Sequence, residues 1–313
     1  MLMKAGIKVF APATIANLAV GYDIIGLALE SPGDEVIARK SDQYKGVHIT
    51  QIFNDGGKLP MDPLKNTASV AGQAVLDACN ASDMGIEIEI HKKMPIGSGL
   101  GSSAASAVSG AFAVNDIMGK PFSKEELLPY AVKGEQSADK AYHADNVAPC
   151  LLGGIIFVKN DETLLHRRLP TPKGLYITLV HPDVEILTKN ARDVIKTNIT
   201  LDQHINQSFN LAGFIYSLFT SDFTLMRQCL QDHIIEPQRA FMIPKFREVK
   251  EAAMNQNALG CSISGAGPSI FALSENSLDA ENIAFAMREV FSNSKIKATT
   301  LISKVNPEGA YKY

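Results

Sequence analysis

The sequence predicts an α+β protein, because strand-like and helix-like segments are mixed along the chain without strict alternation. Residues 86–91 alternate between apolar and polar side chains, the period of a strand that is buried on one face. Small and apolar residues then fill positions 102–115, which predicts a helix. Residues 261–273 hold two apolar runs around a glycine turn, the pattern of a strand, a tight turn and a second strand.

The remaining N-terminal elements follow from local patterns. Strands are predicted at 7–11, 36–37, 47–49 and 153–158, and a helix at 66–79, where alanines and Val75 share one face. Ser123 and Glu126 stand at capping-box spacing, so a further helix is predicted from there towards Lys133. The polar segment 159–162 marks a candidate domain boundary.

The C-terminal half is predicted to open with a strand at 175–180 and to close with a helix at 278–291 and a strand at 296–302. Further helices are predicted at 189–196, 204–219, 222–231 and 244–256. A length of 313 residues favours two domains. We place them at 1–160 and 161–313.

Composition narrows the class of protein. Hydrophobic residues make up 46% and charged residues 20% of the chain, and the formal net charge is -3. The chain therefore has no excess of basic residues that would favour electrostatic binding to a nucleic acid or an acidic membrane. The four cysteines contain no Cys-x-x-Cys pair, as expected for reduced, buried thiols in the cytoplasm. We see no signal peptide and no apolar run of bilayer length, so a soluble, cytoplasmic protein is expected.

The most informative segment is the glycine-rich loop Pro-Ile-Gly-Ser-Gly-Leu-Gly-Ser-Ser-Ala-Ala at 95–105, between the predicted strand and helix. Such a turn offers backbone N–H groups and the positive end of a helix dipole, which favours a phosphate. No lysine follows Gly101, which excludes the common nucleoside-triphosphate loop, and the glycine spacing differs from that of dinucleotide-binding folds. The flanking strand and helix argue against a flexible linker.

Three segments in order resemble the motifs of the GHMP kinases. The loop resembles the second motif, residues 11–23 resemble the first, and residues 262–269 resemble the third, a glycine turn beside the phosphate loop. Residues 134–149, 188–192 and 236–239 resemble the homoserine kinase branch of that family. The resemblance implies a two-domain α+β fold, with an N-terminal domain like domain 2 of ribosomal protein S5 and a ferredoxin-like C-terminal domain.

The resemblance also implies an activity: ATP-dependent phosphorylation of the hydroxyl of L-homoserine to O-phospho-L-homoserine, a step of threonine biosynthesis. ATP and Mg²⁺ are then expected as cofactors and a homodimer as the assembly. Two alternatives stay open, namely another GHMP small-molecule kinase of the mevalonate or shikimate type and a non-catalytic relative that senses a ligand. The complete glycine loop and Glu135 favour an active enzyme.

The resemblance assigns the nucleotide, metal and acceptor residues. Those for ATP are Asn66, Lys92, Pro95, Ile96, Gly97, Ser98, Gly99, Leu100, Gly101, Ser102, Ser103, Ala104 and Ala105. Mg²⁺ would be bound by Ser103 and Glu135. The residues for homoserine are Asn17, Asp23, His143, Thr188, Arg192 and Arg239, with the two arginines on its carboxylate and Asp23 on its ammonium.

Taken singly, these residues have ordinary structural alternatives. Asn66 fits a helix N-cap as well as a base contact, and Asn17 fits a turn. As single residues, Lys92 and Glu135 are equally typical of solvated positions at the end of a strand and of a helix. The two arginines are equally typical of surface cations, and His143 of a structural hydrogen-bond donor.

Asn146 decides the expected mechanism, because an asparagine amide cannot accept the hydroxyl proton. The resemblance places an aspartate base near this position in the mevalonate kinase branch. Asp145 is adjacent, but a shift of one residue is expected to point its side chain elsewhere. We therefore expect direct transfer without a protein base, with Asn146, Ser103 and Glu135 as the catalytic set.

Overall fold

The computed structural model of the protein describes residues 6–139, 142–184 and 188–313. In these ranges the strands are β1 (Ile7–Ala16), β2 (Ile25–Lys40), β3 (Val47–Phe53), β4 (Ile86–His91), β5 (Ile155–Val158), β6 (His166–Leu169), β7 (Tyr176–Pro182), β8 (Gly260–Ile263), β9 (Ile270–Ser274), β10 (Ala298–Ser303) and β11 (Tyr311–Lys312). The helices are α1 (Thr67–Ala78), α2 (Ser102–Ile117), α3 (Lys124–Asp139), α4 (Ala144–Leu152), α5 (Thr188–Asp193), α6 (Leu201–Thr220), α7 (Phe223–Cys229), α8 (Glu236–Arg239), α9 (Phe246–Asn255) and α10 (Ser277–Asn293), with a 3₁₀ turn at Ala240–Met242.

The strands form two sheets, which confirms the α+β prediction. The first has the order β11-β1-β2-β4-β3, and β5 and β6 extend it from the first residues of β2. Its pairs are antiparallel except β3 with β4. The second is antiparallel with the order β10-β7-β9-β8, which is the ferredoxin-like arrangement of two split β-α-β units.

Helix α2 lies at the centre of the first half of the chain. It packs against β1 and β2 and against the flanking helices α1 and α3. Its residues are small, and this permits close contact: a Cβ on Gly110 would lie 2.2 Å from the carbonyl oxygen of Ala68 in α1. The helix is buried on nearly all sides, so its N-terminus is held rigidly where it meets the glycine-rich loop.

Three elements that the sequence did not predict bear on the domain boundary and the site. Strand β6 lies beyond residue 160 and pairs with β5, while β11 returns from the C-terminus to pair with β1. Helix α4 is the third, and it lies between α3 and β5. The boundary at 160 remains a prediction.

The position of α4 follows from Pro149 and Gly26. Proline has no backbone N–H, so Pro149 leaves the carbonyl oxygen of Asp145 without its helical donor. Gly26 of β2 lies directly against that oxygen, since a Cβ there would be 1.7 Å from it. This close approach brings the first turn of α4 up to the first sheet.

Among the described helices, none carries an apolar stretch long enough to cross a bilayer. The cysteines are free, and three of them are buried (Cys150, Cys229 and Cys261), while Cys79 is half-buried.

Candidate active site

The glycine-rich loop joins the end of β4 to the start of α2. Gly97, Gly99 and Gly101 have φ values of 69°, 78° and 68°, in the left-handed region that favours glycine. Gly101 is the N-cap of α2, and no side chain caps that helix start. The first N–H groups of α2 therefore have no capping side chain and are available to an anion.

The loop is packed against the turn between β8 and β9, as the third motif predicted. The hydroxyl of Ser264 donates a 2.7 Å hydrogen bond to the carbonyl oxygen of Gly99. The N–H of Ser269 donates to the carbonyl oxygen of Ser98 at 3.2 Å. A Cβ on Gly99 would lie 2.2 Å from the carbonyl oxygen of Ser264, so only glycine fits between the loop and this turn.

A cavity of about 570 Å³ opens beside the loop. This volume is within the range of small-molecule sites. Most predicted site residues line it: Asn17, Asp23, Asn66, Lys92, Ile96, Gly97, Ser98, Gly99, Leu100, Gly101, Ser102, Ser103, Glu135, His143, Asn146, Arg192 and Arg239. Residues drawn from six segments of the sequence thus meet at one cavity.

Four predicted residues stand apart. Ala104 and Ala105 belong to the first turn of α2 and are completely buried, and Pro95 is exposed and lines a different surface groove. Thr188 begins α5, but its side chain lies outside the described part of the structure. The assignments of these four residues stay predictions.

Arg239 is the more deeply buried of the two arginines that line the cavity, with 5% of the residue exposed. Its Nε donates to the carbonyl oxygen of Ala191 at 2.7 Å, and its Nη1 donates to that of Gly265 at 3.2 Å. Its Nη2 lies 3.5 Å from the hydroxyl of Tyr22, and the guanidinium stands over the Tyr22 ring. Burial lowers the pKa of Arg239. Its hydrogen-bond partners in the described chain are all neutral.

Arg192 and Asp23 form an ion pair across the cavity mouth. Both terminal nitrogens of Arg192 donate to the Asp23 carboxylate, each at 3.1 Å. A carboxylate accepts more than two hydrogen bonds, so Asp23 can accept further hydrogen bonds beside those from Arg192. Tyr22, which the sequence did not assign, lies between the two arginines, and burial raises its pKa.

Asn17 supports the turn that carries Asp23. Its backbone has a φ of 75°, its side-chain oxygen accepts from the N–H of Asp23, and its amide nitrogen donates to the carbonyl oxygen of Gly265. The structural alternative of a turn former is therefore correct for Asn17, which also lines the cavity. His143 is the N-cap of α4 in the left-handed region, half-buried at the cavity wall.

Asp145, whose side chain was expected to point elsewhere, is among the residues that line the same cavity as Asn146, although only 2% of it is exposed. Both reach the cavity because it faces the first turn of α4, where consecutive residues are separated by about 100° around the helix. Oδ1 of Asp145 makes no hydrogen bond within the described residues. Burial, followed by the charge of Asp23, raises the pKa of Asp145 to about 6.

Asn66 and Lys92, both predicted for ATP, line the cavity as well. Asn66 is the N-cap of α1, since its side-chain oxygen accepts from the N–H of Ala68 at 3.0 Å, and it also lines the cavity. Lys92 is not a solvated strand-end lysine, because its side chain is only 2% exposed. Leu59 and Pro60 add an apolar wall that the sequence did not reveal.

Ser103 and Glu135 both face the cavity, from the start of α2 and from α3. They supply one hydroxyl and one carboxylate, which are hard oxygen ligands. No group of three or more metal-ligating side chains occurs in the described ranges. Mg²⁺ fits this donor set, because it commonly takes one or two protein ligands and completes its shell with phosphate oxygens and waters.

Comparison with known proteins gives consistent results. Residues 66–154 match the N-terminal domain model of GHMP kinases, and residues 214–293 match the C-terminal one. The chain is 42% identical to a homoserine kinase of Chlorobium phaeovibrioides, over 97% of this chain and 98% of that one. It is 40% identical to one of Chlorobaculum tepidum, over 96% of each chain.

Solved structures agree with this. The crystal structure of a homoserine kinase from Cytophaga hutchinsonii matches with a TM-score of 0.96 and 47% identity, covering 100% of this chain and 99% of that one. A mevalonate kinase of L. major has the same fold at 16% identity and a TM-score of 0.71, covering 96% and 97% of the two chains. The chain belongs to the GHMP kinase family and, within it, to the homoserine kinases.

Proposed function

We propose that this kinase transfers the γ-phosphoryl group of ATP to the side-chain hydroxyl of L-homoserine, giving O-phospho-L-homoserine for threonine biosynthesis. The observation that carries the choice of acceptor is Arg239, a buried guanidinium whose hydrogen bonds within the described chain go to neutral oxygens. A buried charge is stabilised best by an opposite charge that is hydrogen-bonded to it, and the Asp23 carboxylate acts on Arg239 only through space. A substrate carboxylate would complete this site.

The acceptor would lie between the two charged ends of its pocket. Its carboxylate would contact Arg239, with Arg192 beside it, and its ammonium would contact Asp145 and Asp23. Asp145 lines the cavity beside Asn146, and with a pKa of about 6 it is ionised at neutral pH, which supports a substrate amine in this position. Mevalonate has the carboxylate but lacks the amine.

The triphosphate would lie along the glycine-rich loop and the start of α2. The N–H groups at the start of α2, which no side chain caps, would donate to the phosphate oxygens. The base would lie against Leu59, Pro60 and Asn66. Ser103 and Glu135 would bind Mg²⁺, which neutralises charge on the phosphate oxygens when it is bound.

Transfer forms a bond between the homoserine oxygen and the γ-phosphorus and breaks the bond from that phosphorus to the bridging oxygen, releasing ADP. The hydroxyl proton passes to a phosphate oxygen or to solvent. Asn146 would orient the hydroxyl, since its side-chain oxygen already accepts from Thr14 and its amide nitrogen is left to donate. Phosphoryl transfer depends mainly on such positioning and on charge stabilisation.

A coupled assay of ATP consumption with a panel of hydroxylated acceptors tests this function. We expect turnover with L-homoserine, much weaker turnover with its decarboxylated analogue 3-aminopropanol, and none with mevalonate or shikimate. Turnover with mevalonate and none with homoserine would assign the enzyme to another GHMP branch. ATP binding without turnover of any acceptor would support the ligand-sensing alternative.

The base-free mechanism has its own test in the variant Asn146→Asp. We expect it to lower kcat, because a carboxylate beside the triphosphate adds like charge and removes the amide donor. A steep rise of the chemical rate, together with a new acidic pKa in the rate profile, would show that a base at this position can take the proton and would overturn the mechanism.

We also propose that the enzyme is a homodimer formed through α6. Large apolar side chains recur along one face of this helix and stay exposed: Leu201 72%, Ile205 54%, Phe209 67%, Tyr216 62% and Phe219 64%. At roughly 200 Å² for each side chain, they leave on the order of 600 Å² of apolar surface per chain. Two such surfaces together reach about 1,200 Å², the lower limit for a stable interface.

Sedimentation velocity of the wild-type protein and of Phe209→Asp tests the dimer. We expect a dimer for the wild type and a monomer for the variant. Phe285→Asp is the matched control, because Phe285 is 59% exposed on a different helix, α10, and its replacement should leave the dimer intact. A wild-type monomer at micromolar concentration, or dissociation by the control variant alone, would overturn the proposal.

A further inference from the structure

An almost completely buried ion pair lies under the glycine-rich loop. Asp34 of β2 and Lys92, which follows β4, have side chains that are 0% and 2% exposed, and the Lys92 ammonium contacts the Asp34 carboxylate. Burying both charges is costly unless each of them is also well hydrogen-bonded. The remaining contacts of the pair are therefore informative.

The Asp34 carboxylate connects the two ends of the loop. Oδ1 accepts from the N–H groups of Lys93 at 2.7 Å and Met94 at 3.1 Å, the residues that enter the loop. Oδ2 accepts from the hydroxyl of Ser102 at 2.8 Å, the residue that leaves it and begins α2. One rigid carboxylate therefore fixes the separation of the residues on either side of positions 95–101.

The Lys92 ammonium completes this arrangement from the helix side. It donates to the carbonyl oxygen of Ser102 at 2.8 Å and to the hydroxyl of Ser106 at 2.9 Å, one turn further along α2. Together with Asp34, these contacts use all three of its protons. A direct bond from this ammonium to a nucleotide would require one of them to break, so Lys92 acts on the loop and not as a charge for the triphosphate.

We propose that Asp34 and Lys92 are positioning residues that hold the phosphate loop in its binding conformation before ATP arrives. The inference rests on the proposed function of the loop. The pair is neutral as a whole, so it shapes the loop without changing its net charge. Ordering a flexible loop during binding would weaken affinity, and a loop fixed in advance avoids that cost.

Two single variants that change the buried charge in opposite directions show whether the pair positions the loop or acts through charge alone. Asp34→Asn leaves a buried positive charge under the loop, and Lys92→Met leaves a negative one. If the pair acted only through its electrostatic interaction with the phosphates of ATP, Asp34→Asn would bind ATP more tightly and Lys92→Met would bind it more weakly. If it positions the loop, both variants raise KM for ATP, by about tenfold for the loss of charged hydrogen bonds.

We expect KM for homoserine to change less than about twofold in both variants, because the acceptor pocket is built from other elements. The double variant should be no worse than either single one, since the two residues act as a unit. Glu89→Gln is the matched control: it breaks the Arg39–Glu89 ion pair of 2.8 Å between the same two strands, away from the loop. We expect it to leave both KM values unchanged.

Circular dichroism establishes that each variant is folded. If Asp34→Asn and Lys92→Met fail to fold, Ser106→Ala removes one acceptor of the ammonium while the ion pair remains, and it should raise the dissociation constant of a fluorescent ATP analogue by about threefold. Shifts of KM for ATP in opposite directions, or unchanged ATP affinity in folded variants, would overturn the inference. A wild-type enzyme that does not bind ATP would instead overturn the proposed function.

Discussion

The hydroxyl of Thr14 donates a 2.8 Å hydrogen bond to Oδ1 of Asn146, although 132 residues separate the two in the sequence. Thr14 is completely buried in β1, and its N–H also donates to the carbonyl oxygen of Leu100 in the glycine-rich loop. One residue of the first motif therefore contacts both the loop and the residue proposed to orient the acceptor hydroxyl.

Replacing Thr14 by valine keeps the shape of the side chain and removes the hydrogen bond. The Asn146 amide can then turn either its oxygen or its nitrogen towards the acceptor hydroxyl. We therefore expect kcat to fall by about tenfold while KM for ATP changes little. Steady-state kinetics measures both. Thr14→Ser, which retains the hydroxyl, should recover most of kcat, and equal losses in the two variants would contradict this role.

Gly101→Ala should abolish tight ATP binding. A Cβ at this position would lie 2.1 Å from the Thr14 hydroxyl oxygen, so the loop must move away from β1. Gly119→Ala is a control for backbone strain, because Gly119 has a φ of 86° but no atom within 4 Å of a Cβ. Calorimetric titration with an ATP analogue should show normal affinity for the control. Normal affinity of the Gly101 variant would mean that the phosphates bind elsewhere.

Arg239→Leu should raise KM for homoserine by on the order of 100-fold, since it removes two charge-assisted hydrogen bonds to the proposed carboxylate. KM for ATP should stay within about threefold of wild type. Arg247→Leu replaces an exposed arginine on α9 and should change neither constant. Equal increases of both KM values in the Arg239 variant would contradict the carboxylate contact.

Asp145 should give the enzyme an acidic limb in its pH profile. Its pKa is about 6 in the ligand-free site, so the carboxyl group becomes neutral as the pH falls through that value and loses its attraction for an ammonium. We expect kcat/KM for homoserine to decrease below about pH 6 in the wild type. In Asp145→Asn it should be low at all pH values, without this limb.

The same raised pKa predicts an effect on stability. The folded state holds the Asp145 proton more tightly than the unfolded state, so ionisation lowers the free energy of unfolding as the pH rises from about 4 to 6. Asp145→Asn should therefore stabilise the ligand-free protein above pH 6, by up to about 3 kcal/mol, and have little effect near pH 4. Thermal unfolding at both pH values, with the exposed Asp183→Asn as control, measures this. An equal gain at pH 4 and pH 8 would contradict it.

Short-range patterns were sufficient for most elements. The strand β4 and the helices α1 and α2 were predicted within two residues of their ends, and Ser123 and Glu126 form the expected capping box. Helix α4 was missed because its nine residues include Pro149 and two polar residues, and its stability depends on packing against β1 and β2. The two-residue strand β11 exists only because β1 offers it an edge.

The sequence by itself determined where a phosphate could bind, because glycines at alternate positions before a helix produce a set of free amides through local backbone geometry alone. It could not determine the state of the polar side chains around that loop. The tertiary structure decided that Lys92 is paired with Asp34 under the loop, that Asp145 lines the cavity, and that Arg239 is hydrogen-bonded to neutral partners. These properties depend on desolvation and on partners distant in the sequence, and only the packed fold brings such groups within hydrogen-bonding distance.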